Sequence, residues 1–139
     1  MSLQIKSLVT LNSMGKPAED TATMEGSANL IPADSATKVY TLYKASNTTG
    51  NMKSTIVKGI RLFNTHTASV NVSLYVNSST DASKHSRHPL LPEDTAIPAK
   101  STLIDDTEIT LGPGDQIQAR AGSPNKIRFL ISGVERDVV

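Results

Sequence analysis

His85 and His88 stand three residues apart in the run His-Ser-Arg-His. On a helix turn that spacing lets two imidazoles reach one metal ion. Here the surrounding stretch, 78–100, is rich in Ser and Asp and then punctuated by Pro89, Pro92 and Pro98. It carries no helical period, and no third ligand adjoins the pair, so both are read as solvated loop histidines, as is His66. Asp105, Asp106 and Glu108 form an acidic cluster. Neighbouring carboxylates can hold a hard cation or divide acid/base work. The spacing lacks the Gly and Glu positions of an EF-hand loop, so a turn cap ahead of a strand is expected. Asp115 after Gly114 reads as the same device. No Gly-x-Ser-x-Gly elbow and no P-loop occur. Sixteen Ser, three His and eight Asp could meet as a triad only through tertiary geometry. No catalytic, cofactor-binding or metal-ligating residue is assigned, and the chain is read as a non-enzyme without a cofactor. The remaining contact candidate is His88, Pro89, Leu90, Leu91 and Pro92. Prolines on both sides favour polyproline-II geometry and lower the entropy cost of docking. The same segment can instead tuck its leucines under its own domain, and both readings stand.

Composition bounds what can position such groups. The chain has 139 residues, the size of one ordinary domain. Leu, Ile, Val and Phe number 33, enough for a packed core. With no Trp, two Phe and three Tyr against 31 Ser plus Thr, that core is aliphatic and the composition leans towards short strands and turns. Fourteen basic residues are interspersed with 13 acidic ones, for a net charge of +1. The basic stripe of a nucleic-acid module is missing, and nucleic acid is not an expected partner. Zero Cys removes disulfides, thiolate chemistry and Cys-ligated zinc. No apolar run approaches a membrane span, and the first residues lack signal-peptide organisation. A soluble product with no membrane partner is expected.

The pattern along the chain is one of strands. Residues 1–10 suit a short strand, and 11–36 read as an irregular arm with a weak strand at 24–30. From 37 onward, strands are expected at 38–44, 55–64, 69–77, 101–104, 108–111, 116–121 and 126–134. In 55–64, apolar residues fall on both parities, which implies either a strand covered on both sides or a bulge near Gly59. The short loop 64–68 predicts a hairpin with 69–77. In that second strand Val70, Val72, Leu74 and Val76 alternate with Asn71, Ser73, Tyr75 and Asn77. Gly112-Pro113-Gly114-Asp115 and Gly122-Ser123-Pro124-Asn125 are turn sequences. Strands spaced by about 8–12 residues imply a sandwich or barrel. The expected fold is an all-β antiparallel β-sandwich, jelly-roll-like or immunoglobulin-like, of about eight strands. Residues 1–36 would form an N-terminal strand and arm, and 37–139 the sandwich domain. Ile31-Pro32-Ala33-Asp34-Ser35 is echoed by Ile97-Pro98-Ala99-Lys100-Ser101, which reads as recurrent turn chemistry ahead of a strand.

The run Ile-Val-Lys-Gly-Ile-Arg-Leu-Phe-Asn-Thr from Ile56 to Thr65 leads into the alternating Val70 to Val76. Later, Ile97-Pro98-Ala99 precedes an acidic turn and Ile109-Thr110-Leu111-Gly112-Pro113-Gly114-Asp115, and the end holds Ile131-Ser132-Gly133-Val134-Glu135. Over roughly 100 residues this pattern resembles small structural proteins of tailed bacteriophages. The resemblance implies a virion protein made in the host cytoplasm: a capsid decoration (cement) protein, or else a neck, tail or fibre-associated one. The partners it implies are copies of the chain itself and the major capsid or neck and tail proteins. It brings no catalytic residues. A receptor- or carbohydrate-binding sandwich is the competing expectation, with Tyr75 as the one platform on which a sugar could stack.

Overall fold

In a computed structural model, residues 3–9, 16–17, 30–31, 39–77 and 87–138 are described. His85, the strand expected at 24–30 apart from Leu30, and most of the 11–36 arm lie outside these residues. The strand segments are β1 (Leu3–Val9), β2 (Lys16–Pro17), β3 (Tyr40–Lys44), β4 (Asn47–Thr48), β5 (Asn51–Asn64), β6 (Val70–Asn77), β7 (His88–Pro89), β8 (Thr95–Ile97), β9 (Thr102–Asp105), β10 (Ile109–Leu111), β11 (Gln116–Ala121) and β12 (Ile127–Asp137). β2, β4 and β7 are two-residue pairings. The nine longer strands among the described residues stand close to the eight expected, and no helix interrupts them.

Two antiparallel sheets pack together. The first runs β1-β12-β5, with β9 and β10 end to end along the far side of β5. The second runs β2-β3-β11-β6, with β8 and β7 end to end along β6. Between them lie Val57, Ile60, Leu62, Leu111, Phe129 and Ile131 from the first sheet, and Val70, Val72, Leu74, Ile117 and Ala119 from the second.

The doubled apolar parity of β5 resolves into a bulge beside Gly59. Ser132 pairs with Gly59 and Gly133 with Val57, so Lys58 is the extra residue. One inserted residue reverses which parity faces inward. Thr55 and Val57 are buried before it, and Ile60, Leu62 and Asn64 after it. The strand therefore keeps a single buried face along its length. Across from the bulge, a Cβ on Gly133 would overlap the Ile56 carbonyl oxygen, so only glycine allows β12 to approach this closely.

The predicted hairpin between β5 and β6 is not formed. β5 pairs only within the first sheet and β6 only within the second, so residues 65–69 arch from one sheet to the other. Hairpin and arch need the same alternation. A hairpin would set the apolar faces of β5 and β6 side by side, whereas the arch sets them opposite each other across the core. Asn64 closes the arch. Its Oδ1 accepts the His66 amide at 2.8 Å, and its Nδ2 donates to Ala68 O and Ile97 O, each at 2.9 Å. The turns at 112–115 and 122–125 also cross between sheets, joining β10 to β11 and β11 to β12. Between β4 and β5 the chain does form a tight hairpin at Thr49-Gly50, with Gly50 at φ 83°.

The N-terminal region is joined to the sandwich. β1 pairs along β12 from Leu3 opposite Arg136 to Val9 opposite Ile131. Leu30 bridges Arg128, and Ile31 exchanges backbone hydrogen bonds with Ile127 O (2.9 Å) and the Asn125 amide (3.1 Å). Ile31 and its echo Ile97 are both core residues.

Candidate interaction site

The His88 to Pro92 segment belongs to a strap, residues 87–95, fastened along β6. His88 and Pro89 pair with Val76 and Tyr75, and the Leu90 amide donates to Leu74 O at 2.8 Å. Leu90 and Leu91 are half-buried and pack against the core, while His88, Pro89 and Pro92 are exposed. The tuck and the presentation thus occur together: two leucines anchor the strap and its flanks face solvent.

Polar groups on the outer face of the second sheet hold both ends of the strap. Alternation on β6 and β11 sends Ser73, Tyr75, Gln116, Gln118 and Arg120 away from the core. Arg87 Nε donates to Gln118 Oε1 at 2.9 Å, and Gln118 Nε2 to Gln116 Oε1 at 2.9 Å. Gln116 Oε1 also accepts from Thr41 Oγ1 at 2.7 Å. Gln118 is only 2% exposed, so losing this chain would strand a buried amide. At the other end, Tyr75 OH donates to Glu93 Oε1 at 2.8 Å and the Asp94 amide to Ser73 Oγ at 3.0 Å. Arg120 lies 3.6 Å from Asp94. Asp94 has φ 56°, a backbone conformation that Asp tolerates better than most residues.

Tyr75 is 4% exposed, and its phenol is raised above its ordinary pKa by burial first and the Glu93 bond second. The expected sugar-stacking platform is therefore buried, with its hydroxyl tied to Glu93 of the strap, on what alternation alone marks as a solvent face. Tyr40, Tyr43 and Phe129 are buried, so of the five aromatics of the chain only half-buried Phe63 keeps some exposure.

The acidic residues have structural partners. Asp105 Oδ1 accepts the Thr107 amide at 3.1 Å, and Glu108 pairs with Lys58 beside the bulge. Asp115 Oδ2 accepts the Gly112 amide at 2.9 Å across a turn in which Gly114 has φ 88°. Asp105 and Asp115 thus take the capping roles read from the sequence, whereas Glu108 forms an ion pair. No group of three or more His, Cys, Asp or Glu that could hold a metal occurs among the described residues. A cleft of about 560 Å³ lies where β5 begins and β12 ends, lined by Gly50, Met52, Lys53, Asp137 and Val138, with Lys53 and Asp137 ion-paired.

Two buried polar junctions were not picked out by sequence reasoning. Asn64 is one; its signal was an Asn opening a short loop, the usual start of an Asx turn. The other is Tyr43, whose hydroxyl reaches from the second sheet to the first. It donates to Glu135 Oε1 at 2.8 Å and shares a 2.8 Å bond with Thr55 Oγ1, so Thr55 is the donor there. Burial raises the phenol well above its ordinary pKa; the Thr55 bond opposes this and the Glu135 carboxylate adds to it. No local pattern marks this junction, because its members lie on three strands.

The fold and site define a class, the two-sheet antiparallel β-sandwich with a strapped outer face. No protein-family model matches the chain, and a search of curated proteins returns no match.

Proposed function

We propose that this chain is a non-enzymatic virion structural protein of a tailed bacteriophage, an accessory capsid decoration (cement) protein that stabilises the particle through protein–protein contacts. The observation that carries the reading is the strap. Its backbone is pinned to β6, its leucines are anchored in the core, and His88, Pro89 and Pro92 face outward. A segment already ordered in this way loses little conformational freedom on docking. The resemblance of residues 56–65, 70–76 and 97–117 to phage structural proteins supplies the particle as partner. Copies of the chain would occupy repeated sites on a symmetric shell.

Particles purified from the genome that encodes this chain test the reading. Mass spectrometry should find the chain there in many copies, and recombinant protein should co-sediment with particles stripped of it. Replacing His88 and Pro92 with Glu and Gly should weaken that co-sedimentation roughly tenfold without changing the melting temperature. Absence from the particles, with no capsid, portal or tail gene adjoining, would sink the proposal.

A further inference from the structure

The outer face of the first sheet carries arginines alternating with exposed aliphatics. Arg61 on β5 is directly opposite Ile104 on β9 and Leu130 on β12. Residues in direct register share a face, and this is the face turned away from Ile60, Leu62 and Ile131. Ile104 is 58% exposed and Leu130 38%. In the row nearer the arch, half-buried Phe63 sits between Thr102 and Arg128. Farther along, Arg136 lies opposite Ser54 and Val134 opposite Ile56. Lys58, the bulged residue, has Glu108 as its counter-ion. The ion pairs among the described residues do not include Arg61, Arg128 or Arg136.

A single exposed Leu or Ile is ordinary. Here aliphatics share one face with guanidinium groups that have no ion pair among the described residues, and Arg is among the residues enriched at protein interfaces. The charge selects the occupant. A second copy stacked on this face would bring the same arginines and be repelled. A nucleic acid would meet the cations but leave Ile104 and Leu130 without apolar partners, and the one aromatic on this face, Phe63, is half-buried. Carboxylates match guanidinium groups in bidentate geometry. We propose that this face docks an acidic protein segment in which carboxylates alternate with aliphatic side chains. The carboxylates meet Arg61 and Arg128, and the aliphatics meet Ile104 and Leu130. The inference rests on the reading that the chain works by protein–protein contact, and it adds the chemistry of the partner on a surface separate from the strap.

Fluorescence anisotropy with three labelled probes tests it: an alternating Glu-Leu peptide of about eight residues, an oligo-glutamate of equal charge, and a short DNA duplex. Titrations use the full chain at about 150 mM salt, where distant charge effects are screened. The Glu-Leu peptide should bind at least roughly tenfold more tightly than either other probe. Arg61→Glu combined with Arg128→Glu should abolish its binding. Ile104→Ser should weaken it roughly fivefold with the circular dichroism spectrum and melting temperature unchanged. No binding by the Glu-Leu peptide overturns the proposal. So does DNA binding of equal strength, or Glu-Leu binding that ignores Ile104→Ser. Peptide failure with co-sedimentation on particles intact removes this face alone. Peptide binding retained with particle binding absent removes the capsid reading alone.

Discussion

Asn64 and Tyr43 show how single polar groups hold this molecule together. The Asn64 amide donates to three carbonyl oxygens, those of Ala68, Ile97 and Pro98. Asn64→Ala should therefore cost about 1–3 kcal/mol, the usual penalty for stranding buried polar groups. Asn64→Asp should cost more at neutral pH, because a carboxylate would face those oxygens, and should recover as acid protonates it. Urea titrations at pH 7 and pH 4 separate the two variants. Tyr43→Phe leaves the buried Thr55 without its acceptor and should cost about 1–2 kcal/mol at pH 7. It should also change the alkaline limb. The folded phenol is raised above the unfolded value of about 10, so the unfolded chain loses its proton first. The Tyr43 contribution is present in full below about pH 10 and is lost as pH rises towards the folded value. Wild-type stability should fall more steeply above pH 10 than that of Tyr43→Phe, as read from urea midpoints.

At the scale of elements, the bulge in β5 lets both halves of the strand face the core. Deleting Lys58 would put 51–57 and 59–64 in one regular alternation that still sends Thr55, Val57, Ile60 and Leu62 inward. The expected result is a retained cooperative melting transition, checked by calorimetry, because the Lys58–Glu108 pair that the deletion removes is exposed. Gly133→Ala tests the partner strand. Its methyl would meet the Ile56 carbonyl, and backbone cannot yield as a flexible side chain would. A loss of about 2–4 kcal/mol is expected, whereas Ser132→Ala, one residue earlier on the exposed face, should stay within about 0.5 kcal/mol. The bulge was legible because Val57 and Ile60 sit on opposite parities beside a glycine.

At the scale of the molecule, the N-terminal strand and the strap settle what each sheet exposes. β1 covers the edge of β12, and uncovered edges recruit other chains. A chain beginning at Thr10 should self-associate, with light scattering rising over the concentrations at which the full chain stays clear. On the second sheet Arg87, Glu93 and Asp94 of the strap are hydrogen-bonded to a face that alternation alone marks as exposed. Tyr75 was legible as facing away from the core but not as buried, since local alternation does not show a partner such as Glu93 from a distant segment.

Alternation, turn residues and an aliphatic composition were sufficient to point to an all-β sandwich, the positions of most strands and the capping roles of Asp105 and Asp115, and they left the bulge as one of two alternatives. These are local properties, set by side-chain period and backbone preference within a few residues. The tertiary structure alone decided that residues 65–69 arch between sheets where a hairpin was expected. It also decided that Tyr43 bridges the sheets to Thr55 and Glu135, and that Arg61, Ile104 and Leu130 form one surface. Each of these depends on strands distant in sequence lying beside or opposite one another. An alternating strand satisfies its own apolar face equally well in either sheet, so only packing of the whole chain selects the arrangement.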